Sequence, residues 1–202
     1  DRVELRGFGV FSTNTQKARL SRNPKTGEKV NTPEKKTIHF KMSKDLFKKL
    51  NNNEGMFLEL AGAYARYHCP CSRTLFLGSP PKKYLDIEKV ISECIENAIS
   101  MFKPGNTCAE ISDNFTATLK KYGYEKNNRC GYPIGLSYPP DWGERTMSLR
   151  ETDQTILEEN MTFHFMPAIW FDDWGFEMTE SIRVGENGGE CLSKVPRQLL
   201  VK

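Results

Sequence analysis

Glu59 is the residue whose type and surroundings most readily support chemistry in this sequence. It lies in the apolar run Phe57-Leu58-Glu59-Leu60, where partial burial would raise the pKa of its carboxyl towards neutral pH. A carboxyl of that kind can serve as a base or as a nucleophile. The alternative is a glutamate on the solvent side of an edge strand, which would carry no such role.

Two histidines and a second glutamate extend the set of candidate catalytic residues. His68 and His164 are two of the three histidines in the chain, and both follow residue 53. A single histidine is more often a hydrogen-bonded structural residue than a catalyst, and two in one segment make the two interpretations equally favoured. Glu180 would orient a histidine or hold a cationic substrate.

Aromatic and charged side chains in the same segment suggest a pocket for a small ion. Aromatic ring faces attract a delocalised cation, and charged groups complement a zwitterion. The aromatic candidates are Tyr138, Trp142, Trp170 and Trp174, and the charged candidates are Asp141, Arg145 and Arg73. Each of them also has a core-packing or surface ion-pair interpretation.

The elements that must position these residues follow from hydrophobic periodicity. Residues 57–60 and 74–77 are predicted strands around a turn at 64–68, and residues 84–102 have the apolar stripe of a long helix. A second helix begins at Thr107, three residues before Glu110, in a capping-box pattern, and ends at Gly123. Two further strands are predicted at 161–167 and 176–184. This order predicts an α+β domain with a curved antiparallel sheet.

The first 52 residues differ from the rest in charge. They hold 13 Lys and Arg against 5 Asp and Glu, a balance of +8, whereas the remainder holds 16 against 21, a balance of −5. Alternating segments hinged at Gly7 and Gly9, a two-stranded ribbon around the turn-rich RNPKTG, and a short helix at 43–52 capped by serine are predicted. A solvated basic hairpin would have the same charge.

This front segment resembles the C-terminal half of the bacterial HU/IHF DNA-binding family, nearest to an IHF β-type subunit, in its GFGVF turn, RNPKTG tip and final helix. The resemblance implies an arm in the minor groove of duplex DNA, with Pro24 wedged between base steps. Phosphates and groove floor would be contacted by Arg22, Asn23, Lys25, Lys17 and Arg19.

Residues 53–202 resemble the pita-bread hydrolases, which include methionine aminopeptidase, prolidase and creatinase. The strings KPGNTCAEI, GYPIG, LEENMTFHFMP and EMTESIRVGENGGECL carry that resemblance, and RYHCPCSRTLFLG and GLSYPPDWGERTMSLR point to the ectoine hydrolase branch. The implied fold is the later part of a pita-bread domain. We therefore predict a fusion of an incomplete DNA-binding arm, residues 1–52, with an incomplete catalytic domain, residues 53–202.

The resemblance also implies how the site departs from its peptidase relatives. Those peptidases bind two metal ions through five side chains, and the matching positions here are Glu59, Pro70, Tyr132, Met166, and Thr179 or Glu180. Pro, Tyr and Met do not give a hard divalent ion its oxygen or imidazole shell. We therefore expect no cofactor, and hydrolysis of a C–N bond in a small ectoine-like zwitterion without metal. A homodimer is also implied, since a partner subunit completes the pocket in this family.

Composition bounds the remaining possibilities. Six dispersed cysteines in a chain of 202 residues predict reduced thiols and a cytoplasmic protein, associated with the nucleoid if the arm binds DNA. No apolar run reaches the roughly 18–20 residues of a membrane span, and no signal peptide is recognisable. The chain begins at Asp1 without Met, so we expect a fragment or processed product whose truncation could abolish activity. Two alternatives therefore stay open: a minor-groove DNA-bending protein with a passive rear domain, and an inactive remnant.

Overall fold

The computed structural model describes residues 2–22, 28–49, 53–138 and 141–202. The chain divides into two compact units, Asp1–Asn52 and Asn53–Lys202. Among the described residues, no helix is long and apolar enough to cross a membrane.

The first unit is built from short antiparallel strands. The elements of this unit are β1 (Arg2–Leu5), β2 (Gly9–Gln16), β3 (Arg19–Arg22), β4 (Lys29–Thr32), β5 (Lys35–Met42) and α1 (Lys44–Lys49). Strands β1, β2 and β5 form one sheet in the order β1-β2-β5, and β3 pairs with β4 in a separate ribbon.

Most of the predicted elements of this unit are confirmed. The chain turns at Gly7, whose φ of 76° is open to glycine without steric cost. Ser43 caps α1 by accepting a 3.0 Å hydrogen bond from the Leu46 backbone N–H. The sequence does not predict strand β5, because its first two residues, Lys35 and Lys36, are not typical of strands and precede the strand-forming residues. The tip residues Asn23, Pro24 and Lys25 lie outside the described residues.

In its described residues, the second unit combines three sheets with two packed helices. The elements of this unit are β6 (Glu54–Tyr64), β7 (Tyr67–Leu77), α2 (Lys82–Ile99), α3 (Cys108–Lys121), β8 (Gly131–Pro133), β9 (Thr162–Phe165), β10 (Ala168–Trp170), β11 (Gly175–Glu177), β12 (Glu180–Gly185), β13 (Gly188–Cys191) and β14 (Leu200–Val201). The strands form three sheets, in the orders β14-β7-β6, β13-β12-β9-β8 and β10-β11.

The β6–β7 hairpin sets the register of the site. Glu59 lies directly opposite Ser72, and the predicted turn narrows to Ala65 and Arg66, both with positive φ (47° and 68°) as in a tight hairpin turn. Residues directly opposite each other in an antiparallel pair share a face of the sheet. The Glu59 side chain therefore lies on the face of the hairpin that carries Ser72 and, two residues further along β7, Thr74.

The two helices cover the hydrophobic core. On α2 most of the predicted apolar stripe is buried, but Leu85 is exposed while Tyr84 and Ile87 are buried. The helix also ends at Ile99, three residues earlier than predicted. The capping box of α3 is confirmed, since the Thr107 side chain accepts from the Glu110 N–H and the Glu110 side chain accepts from the Thr107 N–H.

The strand predicted at 176–184 is interrupted. Glu177 ends β11 and Glu180 begins β12, because Thr179 turns its backbone N–H towards the Ser72 carbonyl at 3.1 Å. The closing tail contains β14, which pairs parallel to β7. The α+β class with curved antiparallel sheets is thus confirmed, with one parallel strand added.

Candidate active site

Glu59 lies on an exposed stretch of strand β6, but its side chain is partly covered. Its side chain is 30% exposed on β6, an edge strand of its sheet among the described residues. Burial, and secondly the charge of Glu144, raises the pKa of its carboxyl. The alternative interpretation, a glutamate on an edge strand, is therefore correct about the position of Glu59, but the carboxyl is not freely solvated.

His164 lies next to Glu59 and is completely buried. Its Nδ1 is 3.8 Å from Glu59 Oε1 and 2.8 Å from the Tyr132 hydroxyl, and its Nε2 is 2.7 Å from the Thr179 hydroxyl. Burial, with a smaller effect of Arg129, lowers the pKa of the imidazole to about 3. The ring is therefore neutral at physiological pH.

Strand pairing holds Tyr132 and His164 together. They are directly opposite each other on β8 and β9, and β8 can approach closely because residue 131 is glycine. A Cβ at Gly131 would come within 2.6 Å of the His164 carbonyl oxygen. Tyr132 is 5% exposed, and burial followed by the charge of Glu59 raises the pKa of its phenol.

Thr179 connects this pair to the hairpin that carries Glu59. Its hydroxyl accepts a 2.8 Å hydrogen bond from the Ser72 backbone N–H, and its own N–H donates to the Ser72 carbonyl. Because Ser72 is opposite Glu59, these bonds fix the distance between the carboxyl and His164. Trp142 borders the same group, with its ring centroid 6.0 Å from that of His164.

Glu177 is a second buried carboxyl, which sequence reasoning missed. Its backbone is fixed to β7, since its N–H donates to Thr74 Oγ1 at 2.8 Å and its carbonyl accepts from that hydroxyl at 2.9 Å. Burial, and then the charge of Glu59, raises the pKa of Glu177 to about 7. Its Oε2 has no hydrogen-bond partner among the described residues. Its position at a predicted strand start was the only sequence signal.

Arg73 is predicted to bind a substrate, and Glu180 to orient a histidine or hold the substrate, but in the structure these two residues pair with each other. They form an ion pair with side chains only 4% and 1% exposed. Arg73 follows Ser72 on β7, and successive side chains of a strand point to opposite faces of the sheet. The Arg73 side chain therefore lies on the face opposite to that of Glu59. It also donates to the carbonyls of Val195 and Pro196 at 2.9 and 2.8 Å. The pair ties the C-terminal tail to β7 and leaves no charge free for a ligand.

His68 shares the face of Glu59 but lies further along the hairpin. Glu59 pairs with Ser72, four residues from His68 on β7, which corresponds to roughly 13 Å along a strand. His68 Nε2 is 3.3 Å from the Ser137 carbonyl oxygen. With Tyr64 and Tyr67 it lines a cavity of about 610 Å³. The structure therefore does not bring the two predicted histidines together.

The other predicted substrate-binding residues are scattered, apart from Trp142. Tyr138 is 68% exposed and its hydroxyl accepts from Arg66. Asp141 pairs with Arg145 at 2.7 Å. Trp170 packs edge-on against Phe57, with ring centroids 4.8 Å apart. Their surface-pair and packing interpretations are the ones that the structure favours.

Trp174, the remaining aromatic candidate, also packs within its own neighbourhood. Its ring stacks on Phe171 with centroids 4.5 Å apart, and the ammonium of Lys83 lies 4.5 Å from its centroid. A cation near this ring is therefore supplied by the protein itself.

The DNA-binding candidates belong to the first unit. Lys17 and Arg19 are exposed, and Arg19 begins β3, paired with Thr32 of β4. Arg22 is the last residue of β3 before the tip. The two predicted strands of the ribbon are therefore present up to the tip.

The residues at the five metal-ligand positions do not fit a divalent cation. Pro70 and Met166 have no side-chain oxygen or nitrogen. The tyrosine and threonine hydroxyls are engaged with His164, and Glu180 is engaged with Arg73. In the part of the chain that the structure describes, no three His, Cys, Asp or Glu side chains form a group that could hold a metal.

The fold and the site define a hydrolase-like α+β domain that follows a basic arm. The family model "Metallopeptidase family M24" matches residues 29–187, and the model "Bacterial DNA-binding protein" matches residues 1–51. The chain belongs to metallopeptidase family M24, and it carries an HU/IHF-like segment at its start.

Relatives of each part agree with this assignment. Ectoine hydrolase of Halomonas elongata is 57% identical over 150 residues, which cover 74% of this chain and 38% of that protein. Integration host factor subunit beta of Burkholderia mallei is 50% identical over 54 residues, which cover 27% of this chain and 50% of that protein. The prolidase structure from Pyrococcus horikoshii superposes with a TM-score of 0.68 and 25% identity, over 75% of this chain and 43% of that chain. The chain thus spans about two fifths of its hydrolase relatives.

Proposed function

We propose that the second unit hydrolyses a C–N bond of a small zwitterion of the ectoine type, without a bound metal. The similarity to an ectoine hydrolase supports this substrate class. The observation that carries the proposal is the Glu59 carboxyl, 3.8 Å from a neutral histidine whose neighbours stand where metal ligands are expected.

The geometry fits attack on an amidinium carbon. Glu59 either takes a proton from water, whose hydroxyl adds to the carbon, or adds to the carbon itself and is released by water. In both routes the oxygen that adds to the carbon comes in the end from water. When the C–N bond breaks, this carbon becomes an amide carbonyl, and the departing nitrogen receives the two hydrogens of the water and leaves as an ammonium group, so the net reaction is addition of water across the C–N bond. Trp142 offers an aromatic face to the cation.

The test is ring opening of ectoine by the full chain, followed by proton NMR. We expect turnover that survives a chelator and falls at least about 100-fold in Glu59→Gln, because a base or nucleophile contributes about that much or more. Glu125→Gln, an exposed glutamate, is the matched control. Loss of turnover with chelator, or full activity of Glu59→Gln, would contradict the proposal. Completion of the pocket by a second copy is a separate prediction, checked by the dependence of specific activity on protein concentration.

Binding and bending of duplex DNA by the first unit is a second candidate function. The paired strands β3 and β4 present exposed basic side chains, and the first 52 residues hold a charge balance of +8. A cationic ribbon releases counterions from DNA, and a rigid apolar tip can unstack bases. Similarity to an integration host factor subunit favours this role.

Two variants separate charge from wedging at this arm. We expect Arg22→Ala to reduce the slope of log affinity against log salt by about 0.9, since one phosphate contact is lost. Pro24→Ala should keep that slope and reduce the bend, measured by energy transfer between dyes at the duplex ends. Lys89→Ala, an exposed lysine of α2, is the charge-matched control. Unchanged affinity and bend in both variants would rule out this arm as the binding element, and failure of both the DNA and the ectoine assays would favour an inactive remnant.

A further inference from the structure

The Thr179 hydroxyl determines how protons are arranged around His164. A threonine hydroxyl has one hydrogen to donate and two lone pairs. Thr179 is completely buried, and one lone pair of its hydroxyl already accepts from the Ser72 N–H at 2.8 Å. The only other hydrogen-bond partner of this hydroxyl among the described residues is His164 Nε2, at 2.7 Å. The hydroxyl hydrogen therefore has one available acceptor, the imidazole.

The two neutral forms of His164 differ in how well they satisfy this group. If Nε2 carried the proton and donated to Thr179, the threonine hydrogen would be buried without an acceptor, which is unfavourable. If Nε2 is unprotonated, it accepts from Thr179, and Nδ1–H donates to the Tyr132 oxygen 2.8 Å away. Each form leaves one hydroxyl hydrogen without a partner, that of Thr179 in the first form and that of Tyr132 in the second. Thr179 is completely buried, whereas the Tyr132 oxygen and the partly exposed Glu59 carboxyl both lie near His164 Nδ1. The geometry therefore favours the second form, in which the unpaired hydrogen is next to the candidate site.

This arrangement leaves the Tyr132 hydrogen free. The Tyr132 oxygen accepts from His164, and no other hydrogen bond of its hydroxyl occurs in the described residues. The Tyr132 oxygen and Glu59 Oε1 lie 2.8 and 3.8 Å from the same Nδ1 atom, so the hydroxyl and the carboxyl are both neighbours of the His164 ring. We propose that Tyr132 is a hydrogen-bond donor to the reacting nitrogen of the substrate, and that Thr179 acts through His164 as a positioning residue. This inference rests on the proposed hydrolysis.

The chemistry predicts when such a donor acts. An amidinium nitrogen has no free lone pair, because its electrons are delocalised over the cation. After addition to the carbon, the departing nitrogen regains a lone pair and can accept from Tyr132. The bond then forms in the intermediate and the flanking transition states but not in the bound substrate, so its loss lowers kcat and leaves KM nearly unchanged.

Kinetics of Tyr132→Phe test the donor. We expect kcat for ectoine to fall about 100-fold, as for removal of one donor at a reacting centre, with KM within about threefold of the parent chain. Tyr122→Phe is the matched control, because it removes a hydroxyl that bonds Glu93 on the α2–α3 surface. A kcat for Tyr132→Phe within about threefold of the parent would overturn the inference.

Nitrogen-15 NMR of His164 tests the proton arrangement without requiring activity. We expect the Nδ1-protonated neutral form in the parent chain and in Thr179→Ser, and a shift towards the Nε2-protonated form in Thr179→Val, with kcat lowered in the valine variant only. His164→Asn identifies the resonances. Finding Nε2 protonated in the parent would refute the inference. If the parent does not open ectoine, the proposed function fails, while the NMR result still decides the tautomer and the free Tyr132 donor.

Discussion

Burial affects the two carboxyls of the site to different extents. Glu59 is partly exposed, whereas Glu177 is 5% exposed and also sees the charge of Glu59. Because a second negative charge is unfavourable beside the first, the charge of Glu59 adds to burial in raising the pKa of Glu177. At neutral pH the Glu177 carboxyl is therefore close to its midpoint. The groups around Glu177 are Glu59 on β6, Thr74 and Ser72 on β7, and Lys126 after α3.

The raised pKa of Glu177 predicts a pH-dependent stability. The folded chain holds this proton up to a pKa of about 7, whereas an ordinary glutamate releases it near 4.5. Between these values the folded state binds more protons than the unfolded state, so stability falls as pH rises, by up to about 3 kcal/mol from this residue. Glu177→Gln removes that loss.

Denaturant midpoints of the parent and Glu177→Gln at pH 4.5, 6 and 8 measure this effect. Between the lowest and the highest pH, the free energy of unfolding of the glutamine variant should rise by about 2–3 kcal/mol relative to that of the parent. Glu125→Gln provides the baseline for an exposed glutamate. A difference that does not change with pH would show that Glu177 titrates as an ordinary carboxyl.

At the scale of elements, strand register determines the composition of the site. The β6–β7 register places Glu59, Ser72 and Thr74 on one face and Arg73 on the other. The pairing of β8, β9 and β12 aligns Tyr132, His164 and Ser181 across three strands. A shift of one residue in either sheet would exchange these side chains for their neighbours. The site therefore depends on Gly131, which permits the β8–β9 approach, as well as on its polar residues.

The α3 capping box provides a test of local stability. Thr107→Ala removes the acceptor of the 3.2 Å bond from the Glu110 N–H, and should destabilise the chain by about 1 kcal/mol. Thr116→Ala in the same helix removes no cap, and the higher helix propensity of alanine should leave stability unchanged or slightly increased. Thermal midpoints of the two variants give the comparison. Equal loss in both would mean that the cap contributes nothing.

At the scale of the whole molecule, the two units differ in charge and ancestry. The first 52 residues are strongly basic and match a DNA-binding family, whereas the rest is acidic and belongs to the fold of prolidases. A basic surface favours polyanions through counterion release, and an acidic domain does not contribute to that attraction. The DNA and ectoine assays are therefore expected to respond to separate sets of substitutions.

Much of this organisation could be predicted from local sequence. The ribbon strands, the Thr107 cap, the helix stripe around Ile91 and Ile95, and the change in charge after residue 52 all depend on residues close together in the chain. The strands β5, β8, β10, β13 and β14 are not predicted from the sequence, since each is defined by pairing with another strand, and α2 ends at Ile99, before the end of its apolar pattern. Of the candidate site residues, the structure brings Glu59 and His164 together, whereas His68, Arg73 and Trp170 lie away from them.

The two-part division, the positions of the two long helices and the lack of metal-binding side chains at Pro70 and Met166 follow from the amino-acid sequence alone, because they depend on residue type and short-range periodicity. The folded chain adds that Tyr132, His164 and Thr179 form one hydrogen-bonded group, that burial raises the pKa of Glu177 to about 7, and that Arg73 pairs with Glu180. These properties arise from burial and from strand pairing between residues 15 to 107 positions apart, which no local pattern encodes.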